Sequence, residues 1–191
     1  MVIITDCFYR SAICAIYSFN KLGEKIIGVT TDNHPKPPAF YSKYLEDTFV
    51  LPSDKEEYKK ALEELCRKFD SPVIFPIGVF TLNIISENLD AFRKVAHFCV
   101  SDANTLDTVN DKGKIKDIAI SVGIKAPQLF TDETATFPAV VKPACGEKNG
   151  LKASERYRIV KNAEELQEAK TKYLGISPII EELETWSFCA S

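Results

Sequence analysis

Residues 137–150 read FPAVVKPACGEKNG, and the fold turns on how this stretch is taken. Ala139, Val140 and Val141 make a short apolar run that suits a buried β-strand, and Lys142 stands at its end. Pro143 has no N–H to give to a ladder and is expected to stop the strand. Gly146 and Gly150 then bracket Glu147, Lys148 and Asn149 in a loop, and ERYRIV at 155–160 reads as a returning strand. A lysine fixed at a strand end beside glycine-bearing backbone is chemistry for an anion, most simply a phosphate. Taken alone, the same residues are better explained by a surface hairpin with a solvated lysine.

Downstream, Asn162 followed by Glu165 forms a capping-box pattern that opens a helix over 163–173. PIIEEL at 178–183 reads as a further strand, and ETWSFCAS begins another. Upstream, Asn110 is expected to cap a helix with Asp111 in its first turn. Ile115, Ile118, Ala119 and Val122 give that helix its apolar spacing, Gly123 ends it, and a strand follows near 128–131.

Before residue 101 the rhythm differs. Strands are expected at 2–5, 25–30, 48–51, 73–76 and 98–100, with helices over 11–22, 53–69 and 82–95. A strand–helix–strand opening implies a right-handed crossover and a parallel sheet. The first turn, Asp6-Cys7-Phe8-Tyr9-Arg10, holds no glycine, so the dinucleotide fingerprint is absent. Asp32 after the second strand therefore reads as a turn residue. Ser53 with Glu56 forms a capping box, and Tyr58, Leu62, Leu65, Cys66 and Phe69 make one apolar stripe on the helix it opens. The fold class is α/β: a Rossmann-like domain with a small open parallel sheet over 1–101, then a small α+β part over 102–191.

Composition limits the function classes. The 191 residues are 45% hydrophobic and 27% charged, with a net charge of −3, so no basic patch points to a nucleic-acid partner. No apolar run reaches the length of a membrane span, and the first residues lack a signal-peptide pattern. Six cysteines are scattered without a C-x-x-C pair, and His34 and His97 are the sole histidines, which argues against zinc. Cysteines among apolar neighbours suit small core residues in a reducing compartment, and the cytoplasm is the expected location.

The order of pieces carries more than any one of them. An open α/β domain is followed by N-D-K at 110–112, G-I-K-A-P at 123–127, F-P-A-V-V-K-P at 137–143, a glycine-bearing loop, N-A-E-E-L at 162–166 and P-I-I-E-E-L at 178–183. This resembles the ATP-grasp superfamily of carboxylate–amine and carboxylate–thiol ligases, which includes the carbamoyl phosphate synthetase large subunit, and the resemblance covers nearly the whole chain. It implies ATP as cofactor and an acyl-phosphate intermediate that an amine attacks, with the carboxylate and amine substrates unspecified. Lys112 matches the family's first phosphate-binding lysine, and Lys142 the second. Gly146, Glu147, Lys148 and Gly150 resemble the mobile flap over the triphosphate. Glu181, Glu182 and Leu183 match the strand that reads adenine, and Glu184 falls near the ribose position. Residues 1–101 would be the family's preceding domain, which shapes the acceptor side.

Phosphoryl transfer needs positioning and charge neutralisation more than a protein nucleophile, so no catalytic Ser–His or Cys–His set is expected and none is assigned. Cys145 beside the loop reads as a small turn residue. The resemblance also implies Mg2+, whose ligands in the family are a Glu and a Glu-x-Asn strand late in the fold. No residue after Glu184 matches them, so the chain is expected to be the N-terminal portion of an ATP-grasp protein, inactive alone. The alternative is a non-catalytic nucleotide-binding or interaction module, or half of a split enzyme. On that alternative the strand at 186–190 would offer an open edge for a homodimer or a complementary chain.

Overall fold

The computed structural model describes residues 1–144, 151 and 155–184. The chain divides into two compact units, Met1–Leu106 and Asp107–Ser191. In the first, β1 (Val2–Ile4), β2 (Ile26–Thr31), β3 (Asp47–Leu51) and β4 (Val73–Phe75) pair in parallel in the order β3-β2-β1-β4. Successive β1 residues face opposite sides. Val2 and Ile4 pack with Ile26 and with Ala12 and Ile16 of α1 (Arg10–Lys21). Ile3 packs with Ile27 and Val29 against Tyr58 and Leu62 of α2 (Lys55–Cys66), Ile84 of α3 (Val79–Glu87) and Phe92 of α4 (Leu89–Phe92). Cover on both faces is why β1 and β2 are apolar without alternation. After α1, Gly23 takes φ +78°, the left-handed conformation that ends a helix without a Cβ penalty.

Several expected boundaries move. The cap of α2 is Asp54, not Ser53: its Oδ1 accepts from the Glu56 and Glu57 amides, both at 3.0 Å. The helix expected over 82–95 starts earlier and breaks at Asn88, whose Nδ2 donates to the Ile84 carbonyl at 2.8 Å and competes with the backbone ladder. Residues 98–100 form no strand. One parallel bridge joins His97 to Val73, while Phe98 and Val100 pack on the core.

A helix that no apolar period announced, α5 (Ala103–Asn110), follows Asp102, whose Oδ1 accepts from the Thr105 amide at 3.0 Å. Asn110 closes α5, so Asp111 and not Asn110 caps α6 (Lys112–Ser121). The expected apolar face of α6 is also overturned: Ile115, Ile118 and Val122 are exposed, Ile118 by 45%.

The second unit holds an antiparallel sheet of β5 (Leu129–Phe130), β6 (Ala139–Pro143), β7 (Arg158–Val160) and β8 (Pro178–Glu182), in the order β5-β8-β6-β7. Strand β6 ends at Pro143, as expected, with Pro143 itself its last residue, in register with Pro178. Helix α7 (Ala163–Lys172) lies on one sheet face, where Ala139, Val141, Val160 and Ile180 bury Leu166, Ala169 and Tyr173. Asn162 caps it through the Glu165 amide at 2.9 Å, and the Glu165 carboxylate reaches back to the Lys161 amide at 2.9 Å, one residue beyond the usual return to the cap's own amide.

Candidate functional site

The candidate site is assembled at the end of β6. Asp111 Oδ1 accepts from the amides of Gly113 at 2.9 Å and Lys114 at 3.1 Å, which starts α6 and sets the direction of Lys112. The Lys112 amide donates to the Ala144 carbonyl at 3.1 Å. Its Nζ donates to the Pro143 carbonyl at 3.1 Å and to that of Ala144 at 3.3 Å. Lys112 is thereby tied, by main chain and side chain, one or two residues beyond Lys142.

Strand alternation fixes the rest. Ala139 and Val141 turn to the α7 core, so Val140 and Lys142 face the other way. Glu181 is opposite Val140 in the ladder and shares that face. Lys142 and Glu181 meet there as an ion pair, both mostly shielded from water. Glu182 is exposed, and its amide donates to the Gln128 carbonyl at 2.9 Å. Leu183 is half-buried and Glu184 exposed just past the strand. The structure therefore pairs Lys142 with Glu181 on one sheet face and ties Lys112 to the main chain just past Lys142, while Glu184 has no described contact with them. Gly146, Glu147, Lys148 and Gly150, the expected flap, lie outside the described residues, as do Cys145 and the strand expected at 186–190.

Sequence reasoning missed one charged neighbour. Lys116, one turn beyond Lys112, is the buried side chain of α6. Loss of water around it holds its ammonium below the ordinary lysine value. The signal available was the i, i+4 spacing from Lys112, which puts both lysines on one helix face.

The first unit has a second group of polar residues at the C-terminal ends of its strands. Asp6 takes φ +55° and is 1% exposed. Its Oδ2 accepts from Thr5 Oγ1 at 2.7 Å and from the Gly78 amide at 3.0 Å. A Cβ on Gly78 would stand 2.8 Å from Asp6 Cγ, so glycine is needed for this approach. Burial pushes the Asp6 carboxyl above its ordinary range, and those hydrogen bonds offset part of the effect. Phe8, Thr31, Asn33, His34, Ser53 and Phe80 line a cavity of about 140 Å³. In the second unit a 440 Å³ depression runs past Leu129, Asp132, Lys170 and Pro178, and its lining includes neither Lys142 nor Glu181.

Among the described residues no cluster of three His, Cys, Asp or Glu side chains could hold a metal, and no helix is long and apolar enough to cross a membrane. Cys7 and Cys66 are buried, which pushes both thiols up to about 12, whereas Cys14 and Cys99 are exposed.

No family model matches the chain, and no curated protein matches it. Solved structures do. An L-amino acid ligase from Bacillus licheniformis superposes with a TM-score of 0.67 at 18% identity, over 95% of this chain and 43% of its own. N5-carboxyaminoimidazole ribonucleotide synthetase from Thermus thermophilus gives 0.64 at 16% identity, over 98% and 48%. Biotin carboxylase from Campylobacter jejuni, as its beta-gamma-ATP complex, gives 0.61 at 19% identity, over 97% and 45%. The chain has the fold of the N-terminal portion of ATP-grasp enzymes and spans less than half the length of each of these three.

Proposed function

We propose that this chain supplies the nucleotide-binding face of an ATP-dependent carboxylate–amine ligase. The observation that carries this is the convergence of Lys112 and Lys142 at the end of β6, beside Glu181, on the sheet face that α7 leaves open. Two ammonium groups on one strand end suit a polyphosphate, and each charge-assisted bond is worth about 1.5–3 kcal/mol. Lys112 and Lys142 hold the phosphates, the Glu181 carboxylate and the main chain of Glu182 and Leu183 read the adenine edge, and Glu184 takes the ribose. Gly146, Glu147, Lys148 and Gly150 close over the phosphates, where backbone N–H groups approach an anion best.

Residues 1–101 act as the preceding domain, with the acceptor held near the C-terminal ends of its strands, and residues 102–191 form the first part of the ATP-grasp domain. When bound, ATP supplies the phosphoryl group that activates a carboxylate for an amine. Mg2+ would supply charge neutralisation at the phosphates, and no residue of the site is assigned to hold it, so nucleotide binding, not turnover, is expected of these residues. The buried, unreactive thiols of Cys7 and Cys66 fit a reducing compartment such as the cytoplasm.

Calorimetry with ATP and Mg2+ tests the reading. Wild type is expected to bind, and Lys142→Ala to bind at least about tenfold more weakly, the size of one lost charged hydrogen bond. Equal affinities would remove Lys142 from the site, and no binding by wild type would remove the function.

A further inference from the structure

Helix α6 turns its isoleucines outward and its lysine inward. Lys116 is 7% exposed, while Ile115, Ile118 and Ile120 lie open to solvent. Its Nζ has no hydrogen-bond partner among the described residues. An ammonium withdrawn from water without a partner is strongly disfavoured, so this arrangement persists at a cost to the fold.

The charges that act on Lys116 are Glu181 and Glu182 from β8, Lys142 from β6 and Asp117 from its own helix. Glu181 favours the charged ammonium and Lys142 opposes it. Glu181, however, is already engaged by Lys142. Two ammonium groups thus face one shielded carboxylate, 12% exposed, and one of them holds it.

We propose that Glu181 is handed from Lys142 to Lys116 when a polyphosphate draws Lys142 away, an exchange which rests on the nucleotide role proposed above. In the structure Lys142 holds the carboxylate and Lys116 stands in reserve. With a nucleotide in place, Lys142 turns to the phosphates, and Glu181 would be left shielded and unpaired. Lys116 then closes on it through its flexible four-carbon stem. Lys116 is therefore a positioning residue: it touches no phosphate and keeps the adenine-facing carboxylate charged and in place.

The exchange is tested first without nucleotide, by side-chain NMR of the lysine ammonium groups across a pH series. Lys142→Met frees Glu181, and Lys116 is expected to titrate at higher pH than in wild type; adding Glu181→Gln is expected to cancel that rise. Lys142→Gln serves if methionine disturbs the fold. A Lys116 titration unmoved by Lys142→Met would overturn the exchange.

A second arm uses ATP with Mg2+. Lys116→Met is expected to lower affinity about tenfold with no loss of Tm, since the Lys142–Glu181 pair survives in the empty site, and Lys116→Arg to recover part of the affinity. A lowered Tm with unchanged affinity would make Lys116 a structural residue and overturn the exchange. If wild type binds no ATP, the nucleotide role falls, while the titration still decides whether Glu181 can change partners.

Discussion

Asp6 concentrates the strain of the first unit: a left-handed backbone, full burial and a carboxyl raised by desolvation. A carboxyl whose value is higher folded than unfolded favours folding in its protonated form. Its contribution is complete below the ordinary carboxylate value and is lost as pH rises through the raised one. Asp6→Asn keeps the shape and tolerates positive φ, but does not titrate. Urea denaturation is expected to show wild type losing stability relative to this variant as pH climbs from about 4 toward neutrality. A difference that stays flat with pH would contradict the burial argument. The thiols give a second test at this scale. Iodoacetamide at mildly alkaline pH is expected to modify Cys14 and Cys99 in the native chain well before Cys7 and Cys66, whose burial keeps them as thiols. Peptide mass spectrometry reads the order, and early labelling of Cys66 would show that the core of the first unit opens.

Elements were legible where one periodicity had one interpretation. The apolar runs of β1, β2 and β6 and the stripe of α2 were plain, because each is set by residues that have nowhere else to go than a core. Caps were not, because good capping residues stand side by side. Ser53 precedes Asp54, Asn110 precedes Asp111, and only the path of the incoming chain decides which side chain meets the free amides. Asp54→Ala is therefore expected to cost about 1 kcal/mol while Ser53→Ala costs little, as measured by equilibrium unfolding. The reverse order would restore the capping box expected from sequence. The junction of β4 with α3 is tighter still. A Cβ at Gly78 would lie 2.7 Å from the Tyr9 ring and 2.8 Å from Asp6 Cγ, so Gly78→Ala is expected to cost about 1–3 kcal/mol, and an unchanged Tm would mean that β1 and β4 yield easily.

At the scale of the whole molecule, the order of short motifs from residues 110–112 to 178–183 identified the fold that the solved structures share, although each motif alone was weak. The same order pointed to Lys112, Lys142 and Glu181; Lys142 and Glu181 form an ion pair, and Lys112 bonds to the carbonyls just past Lys142. It did not lead to Lys116: the i, i+4 spacing from Lys112 was there, but the apolar period of α6 pointed inward with isoleucines that stand exposed. Reading a helix by hydrophobicity assumes that burial follows it, and here a charge cluster took the inner position instead. The central claim is that nucleotide binds on the face of the second sheet that is turned away from α7. Its most direct test is an ATP–Mg2+ titration followed residue by residue in backbone NMR. The expected result is saturable shifts at Lys112, Lys142 and residues 180–184, with α7 quiet. Shifts confined to the strand ends of the first unit, around Asp6 and His34, or none at saturating nucleotide, would contradict it.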